Sequence, residues 1–384
     1  MLASVPLGRV LDTPLGRPKP PSARSGLAML PSTPSPTTSP ALNIYGMSRD
    51  DLARALTGAG EAEYRADQVF AWVYQKHERN PQRMTNLSAS LRAHLPEILS
   101  TDLAGQVSVH STQDGLTQKF VLTLNDGARV ECVSMRTERR LTFCLSSQVG
   151  CALKCTFCAT GLMGLLRNLR PEEIVSQVVA MGDYHGWKDN RFNLVFMGMG
   201  EPLANYEAVM SAIRILHEPR GLNLGARRIT VSTSGLVPQI ERLGEEDLAL
   251  GLAISLHATT DALRDQLVPV NKRWPIRTLL AAAAAYGRRV GRRVTLEYTL
   301  LGGVNDSLAD ADRLSAFARE LPSKINLIPY NPVPGLDWQR PTPESVQQFA
   351  EWLYPKAPAV TVRNTLGGEI WAACGQLGGL SPAA

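Results

Sequence analysis

The chain has 384 residues, 44% hydrophobic and 20% charged, enough for one large globular domain with a small accessory one. No uninterrupted apolar run reaches membrane-spanning length, which excludes a transmembrane assignment, and 40 Lys and Arg against 35 Asp and Glu is too slight an excess to mark a nucleic-acid binder by itself. Of the six cysteines, three fall within eight residues; that clustering departs from a disulfide framework and points to metal or redox chemistry in a reducing, cytoplasmic compartment.

In chain order, residues 1–42 read as a leader. Pro, Ser, Thr, Gly and Arg dominate it, Asp12 is its one acidic residue, and it lacks the apolar surface to fold. The composition resembles a transit peptide, and a start codon set too far upstream accounts for it equally well. Residues 43–100 are predicted to form a small helical accessory domain. Its three apolar faces are Leu52 and Leu56; Val69, Phe70, Trp72 and Val73; and Leu87, Leu91 and Leu95, with Pro96 closing the last helix. Within 101–140 a β-hairpin extension runs through Phe120–Leu124, turns at Asn125-Asp126-Gly127 and returns through Val130 to Val133.

From 141 to 372 strands alternate with helices. The strands are expected at Leu141–Leu145, Asn193–Met197, Arg228–Thr233, Leu250–Leu256, Val294–Leu300 and Lys324–Ile328. One helix opens at Pro171, with Glu172 and Glu173 suiting its N-terminal dipole and Ile174, Val175, Val178 and Val179 on its apolar face; another spans Asn205 to His217. Repeated βα units predict a parallel sheet curled into a full or partial barrel, with chemistry at the C-terminal strand ends. Residues 373–384 form a short C-terminal segment carrying Cys374.

The most specific motif is Cys151-Ala-Leu-Lys-Cys155-Thr-Phe-Cys158, directly after the first barrel strand. Three thiolates can hold three corners of a 4Fe–4S cube, and the fourth iron is left open to a chelator such as the amino and carboxylate groups of S-adenosylmethionine. One-electron transfer then breaks a carbon–sulfur bond and gives a 5′-deoxyadenosyl radical. A structural zinc loop, the competing reading, needs two close cysteine pairs or a Cys/His pair, and no His is near.

This C-x3-C-x2-C loop resembles that of the radical S-adenosylmethionine (SAM) superfamily. The stretch from Cys144 through Cys158 is similar to the superfamily's RNA adenine-C2 methyltransferase branch, the RlmN family. The similarity continues through Gly198-Met-Gly-Glu-Pro202, Thr230-Val-Ser-Thr-Ser-Gly235, Ser255-Leu-His-Ala258, Ile328-Pro-Tyr-Asn-Pro332 and Ala373-Cys-Gly-Gln376, covering roughly residues 45–380. The resemblance implies an α/β fold, a partial (βα)6 radical SAM barrel with the helical accessory domain and short β extension. It further implies a monomer without membrane attachment that takes two SAM molecules per turnover and electrons from a flavodoxin or ferredoxin. The implied partners are 23S ribosomal RNA, methylated at an adenine of the peptidyl-transferase region, and transfer RNA, methylated at the adenine 3′ of the anticodon.

Site residues follow from the same resemblance. Gly200, Glu201, Ser232, Ser255, Leu256, His257 and Asn331 would contact SAM; on their own the glycines read as an ordinary turn, the serines as turn caps and the histidine as structural. Adenine C2 is electrophilic and cannot attack a sulfonium, so the chemistry needs a thiol that is methylated, activated to a carbon radical and joined to C2. A base must then take the C2 proton, and a second thiol must attack the tethered sulfur. The family pattern makes Cys374 the methyl carrier, Cys144 the resolving thiol and Glu131 the base. Read alone, each cysteine is a small buried hydrophobe and Glu131 a solvent-facing strand residue; Cys132 reads as structural filler. Arg136, Arg139, Arg140, Arg227, Arg228, Arg288, Arg289, Arg292 and Arg293 are candidate phosphate contacts.

Two other functions compete. A sister activity methylates C8 of the same ribosomal adenine and confers antibiotic resistance; it is separated by mass spectrometry of the methylated base. A non-catalytic, metal-stabilised RNA-binding protein would be colourless and hold zinc rather than brown and oxygen-sensitive.

Overall fold

The computed structural model describes residues 42–138, 140–187, 192–363 and 365–378. The leader expected over 1–42 therefore lies outside the described residues except for Leu42, as do Arg139 and residues 379–384.

Strand β1 (Leu42–Asn43) pairs in parallel with β2 (Leu99–Ser100) and so ties the two ends of the helical segment together. Between them lie α1 (Arg49–Gly58), α2 (Tyr64–Tyr74) and α3 (Ala89–Ile98). Helix α1 starts at a capping box, in which Ser48 Oγ accepts from the Asp51 N–H at 3.1 Å while the Asp51 carboxylate accepts from the Ser48 N–H at 3.0 Å. Its Leu52 and Leu56, with Val69, Phe70 and Val73 of α2 and Leu91 and Leu95 of α3, form the apolar interior. Pro96 does not close α3, which continues to Ile98. So near the C-terminus the missing proline N–H costs little, and the Leu99 N–H still reaches the Leu95 carbonyl.

The main sheet has ten strands. Three antiparallel strands form one side: β3 (Gly105–Ser111), β4 (Thr117–Leu124) and β5 (Arg129–Thr137). The β4–β5 turn is the expected one, with Gly127 at φ 81° and the Asp126 carboxylate accepting from the Ala128 N–H at 3.0 Å. Strand β5 pairs antiparallel with β6 (Arg140–Cys144). A short hairpin of β7 (Gln148–Gly150) and β8 (Leu165–Asn168) brackets the four-residue α4 (Ala159–Leu162). Helix α5 (Pro171–His185) then leads to β9 (Phe192–Phe196), α6 (Tyr206–His217), β10 (Ile229–Thr233), α7 (Val237–Glu245) and β11 (Gly251–Ser255). The chain continues through α8 (Asp261–Leu267), α9 (Ile276–Val290), β12 (Val294–Leu300), α10 (Leu308–Glu320), β13 (Ser323–Pro329), α11 (Pro343–Leu353) and β14 (Val360–Val362).

Strands β6 and β9 to β14 are mutually parallel neighbours in chain order, and the sheet ends at β14 on one side and β3 on the other. Six of the seven are the strands expected from the alternating pattern, each within two residues of its observed ends, and they form the partial barrel that the resemblance implies; β14 is a seventh that sequence did not mark. The extension holds the expected hairpin, β4–β5, with β3 added beside it, and all three strands continue the barrel sheet. Apolar residues dominate the parallel strands, as fits a sheet covered by helices, with Leu252 and Ile254 on β11 and Leu296, Tyr298 and Leu300 on β12 all buried. Strands β6 and β9 to β13 end together at Cys144, Phe196, Thr233, Ser255, Leu300 and Pro329, and the site opens at that edge.

Candidate active site

The cysteine loop leaves β7 through Gly150, whose φ of 80° and close neighbour, the Gly164 carbonyl oxygen 1.9 Å from where a Cβ would sit, admit only glycine. Beyond it the Cys151 N–H donates to the Gly164 carbonyl at 2.8 Å. Trp338 Nε1 donates to the Thr156 carbonyl at 2.8 Å, the Ala159 N–H to the Gly375 carbonyl at 2.8 Å, and Thr160 Oγ1 to the Leu377 carbonyl at 2.5 Å. The loop is thus held from both the β13–α11 connection and the C-terminal segment. Cys151, Cys155 and Cys158 face one cavity of about 150 Å³. Burial pushes the Cys151 thiol up to about 11 and raises Cys155 and Cys158 as well, so loading iron on these thiols releases protons. Among the described residues no three His, Cys, Asp or Glu side chains converge on a point fit for a single metal ion. Three thiols on one cavity match the three protein corners of a 4Fe–4S cube.

The strand ends complete this cavity. Gly198 and Gly200 follow β9; a Cβ on Gly198 would meet Ser146 Oγ at 2.6 Å, and one on Gly200, at φ 95°, would meet the Gln148 side chain at 2.5 Å. The glycines bring the backbone in close, and the Glu201 N–H is fixed by Gln148 Oε1 at 2.8 Å. The buried Glu201 carboxylate accepts from the Ser234 N–H at 2.8 Å and the Leu203 N–H at 3.1 Å, and burial pushes it up to about 7. A cationic group arriving beside it would favour its charged form. Ser232 and Ser255, at the ends of β10 and β11, bring their hydroxyls within 3.4 Å of each other.

His257 lines the same cavity with φ 57°; its Nδ1 accepts from the Thr299 N–H at 3.0 Å, and burial pushes it down to about 3, leaving a neutral imidazole. Leu256, between the cavity residues Ser255 and His257, has its side chain fully buried in the apolar core. Its carbonyl and N–H are also committed, to Arg264 Nε at 3.0 Å and the Glu297 carbonyl at 3.0 Å.

A second cavity of about 110 Å³ adjoins the first, and Cys158, Asn331, Arg363 and Cys374 line both. It brings together the two distant cysteines, the buried Cys144 at the end of β6 and the exposed Cys374 on the C-terminal segment. Burial pushes Cys144 up to about 12, with Cys374 adding to the shift. Asn331 holds the segment in place: its Nδ2 donates to the Cys374 carbonyl at 3.1 Å, and its Oδ1 accepts from Arg340 at 3.0 Å and Thr365 at 2.9 Å.

Glu131, like Leu256, lines neither cavity. It is buried on β5 on the same face as Val133 and Met135, which do line the second cavity. Cys132 points to the opposite face and is fully buried, as a packing residue would be.

Glu297, Tyr330, Arg363 and Arg264 are among the residues of the site that carried no assignment from sequence. Glu297 lines the first cavity from within β12, where Asn326 Nδ2 donates to it at 2.6 Å; a charged residue inside a buried strand was the signal available. Tyr330, beside Asn331, and Arg363, just past β14, also face the cavities. Arg264 is fully buried behind the wall, donating to the carbonyls of Ser234 at 2.6 Å, Ser255 at 3.0 Å and Leu256 at 3.0 Å, and so fixes two strand-end loops together; nothing in its helical context marks it.

Of the candidate phosphate contacts, Arg136 and Arg140 flank the β5–β6 turn, and Arg227, Arg228, Arg292 and Arg293 precede β10 and β12. Arg288 and Arg289 end α9 just before β12. All lie at the N-terminal ends of the parallel strands, opposite the cavities. Arg292 is engaged there with the carbonyls of Ala249 and Arg227 at 2.7 and 3.1 Å.

A partial parallel barrel with three loop cysteines at its open C-terminal edge defines a radical SAM enzyme. Accordingly, the Radical SAM superfamily model matches residues 145–314, and the Ribosomal RNA large subunit methyltransferase N-terminal domain model matches residues 42–100. A dual-specificity RNA methyltransferase RlmN from Anaeromyxobacter sp. is 47% identical over 89% of this chain and 92% of its own. That from Geobacter sulfurreducens is 44% identical over 88% and 92%. A crystal structure of a radical SAM methyltransferase from Sphaerobacter thermophilus superposes with a TM-score of 0.84 at 46% identity, covering 88% of this chain and 99% of that one. The chain belongs to the RlmN family of radical SAM methyltransferases.

Proposed function

We propose that this enzyme methylates C2 of an adenine in the peptidyl-transferase region of 23S ribosomal RNA and of the adenine 3′ of the anticodon in transfer RNA. The family's RNA methyltransferases give the substrate class. The observation that carries the reaction is the shared cavity of Cys144 and Cys374 beside the three-cysteine loop. Cys151, Cys155 and Cys158 would hold a 4Fe–4S cluster, with Gly200, Glu201, Ser232, Ser255, Leu256, His257 and Asn331 around SAM. Loaded in this way, and reduced by a flavin or iron–sulfur donor, the site supplies a 5′-deoxyadenosyl radical from one SAM, a second SAM having given its methyl group to Cys374.

The chain's own residues do the rest. Cys374 presents its S-methyl group at the junction of the two cavities, and hydrogen abstraction makes it an S-methylene radical. In sum, that S-methylene, the adenine C2–H and the Cys144 thiol become a C2-methyl group and a Cys374–Cys144 disulfide, with one proton and one electron released. Glu131 takes the proton, and a cluster held by the three loop thiols would supply the one-electron acceptor. The reaction belongs in the cytoplasm, where ribosomal and transfer RNA are modified; among the described residues no helix is long and apolar enough to cross a membrane.

The test is anaerobic reconstitution with iron and sulfide, followed by nucleoside analysis of treated RNA. We expect 2-methyladenosine and 5′-deoxyadenosine. 8-Methyladenosine would transfer the chain to the sister activity, and a colourless zinc protein without either product would refute the proposal.

A further inference from the structure

Lys119 of β4 is 1% exposed, and its ammonium has no hydrogen-bond partner among the described residues. The nearest opposite charge is Glu131 Oε1 at 3.6 Å, an oxygen that itself accepts no hydrogen bond; Glu131 Oε2 accepts from the Gly378 N–H at 3.0 Å. The strand registers pair Lys119 with Val133, Val121 with Glu131, and Val133 with Cys144, so Lys119, Glu131 and Cys144 share one face of the sheet. Beside them, the exposed His110 of β3 stands directly opposite Lys119 on the same face; the C-terminal segment brings the backbone N–H of Gly378 to the carboxylate.

For stability alone this arrangement is poor. A buried ammonium is costly unless fully hydrogen-bonded, and 3.6 Å is too long for a hydrogen bond. Apolar residues of similar volume serve stability at least as well as a buried ion pair. What the arrangement does provide is a carboxylate with one oxygen anchored by the segment that carries Cys374 and the other left with a free lone pair beside a compensating charge. A general base requires that combination: a fixed position and an unspent oxygen.

We propose that Lys119 is a positioning residue for the base, the counter-charge that holds the Glu131 carboxylate with Oε1 free on the cavity side of β5. The inference rests on the reading of Glu131 as the base. The step it serves is the breaking of the C2–H bond, whose electron pair returns to the adenine ring while the proton goes to Oε1.

The experiment is single-turnover assay of Lys119→Met, Lys119→Gln and Glu131→Gln, following three signals: Cys374 S-methylation by peptide mass spectrometry, the covalent protein–RNA adduct on denaturing gels, and methylated RNA. Lys119→Met should methylate Cys374 normally, accumulate the adduct and release product roughly a hundredfold more slowly. Lys119→Arg should recover part of that rate. Removing the cation alone strands a buried anion, so Lys119→Met/Glu131→Gln controls for folding and should be no slower than Glu131→Gln alone. If Lys119→Met fails to fold, Lys119→Gln decides, with the same adduct expected. Release at the wild-type rate in Lys119→Met or Lys119→Gln, or joint loss of Cys374 methylation and release, overturns the role. Normal release in Glu131→Gln removes the base reading itself, a failure visible without any Lys119 variant.

Discussion

At the scale of single residues, the roles most open to test belong to two thiols and a histidine. Cys374→Ala should abolish base methylation while the protein still cleaves SAM to 5′-deoxyadenosine; methylated RNA from that variant would remove the carrier thiol from the scheme. Cys144→Ala should stop after one round, leaving RNA joined to protein, and normal multiple turnover would exclude it as the resolving thiol. His257 carries a pH signature in stability. Its folded value, pushed down to about 3 by burial, lies below the ordinary 6.5, so the unfolded chain binds the proton first. Stability should therefore fall as pH drops below about 6.5, by roughly 1–2 kcal/mol at pH 5. Urea midpoints of wild type and His257→Gln at pH 7 and pH 5 measure it; an equal loss in both proteins would show that His257 contributes nothing. Sequence made Cys144, Cys374 and Asn331 legible only through family motifs, since spacing alone cannot say that residues 230 apart share a cavity.

Among the elements, the cysteine loop is where sequence and structure agree most closely, because its chemistry depends on short spacing within one segment. Its geometry still depends on Gly150, and a methyl group there collides with the Gly164 carbonyl. Gly150→Ala should fold around the unchanged barrel yet retain far less iron after reconstitution, the backbone strain being on the order of 1–3 kcal/mol. Iron content equal to wild type would show that the loop adapts. The six βα strands were legible because buried parallel strands are nearly continuous apolar runs. Strand β3 was not read, because its alternation rests on Val107 and Val109 alone in a mostly exposed segment. Pro96 misled for a related reason: near a helix end it removes only one bond of the ladder.

For the whole molecule, the fold separates two kinds of positive charge. The arginine clusters legible in sequence gather at the N-terminal ends of the barrel strands, while Arg363 and Arg264 work at the catalytic end. Arg227→Gln/Arg228→Gln should accordingly leave the slope of log affinity against log salt unchanged, since each lost phosphate contact would lower it by about one unit. A drop near two would mean that RNA wraps to that end. The helical segment is tied to the barrel through Arg79 with Asp183 at 2.5 Å and through the His77 ring stacked on Trp187 at 3.9 Å between centroids. Such tertiary ties join residues more than a hundred apart and have no sequence signature.

The central claim is that Cys374 carries the methyl group from SAM to RNA next to the three-cysteine loop. It is tested most directly by giving the reconstituted enzyme SAM bearing a trideuterated methyl group, and then unlabelled SAM with RNA. The account predicts label on the Cys374 peptide first, then as a methyl retaining two deuterons on adenine C2. Methylated adenine with all three deuterons, or with none while Cys374 stays labelled, would contradict it.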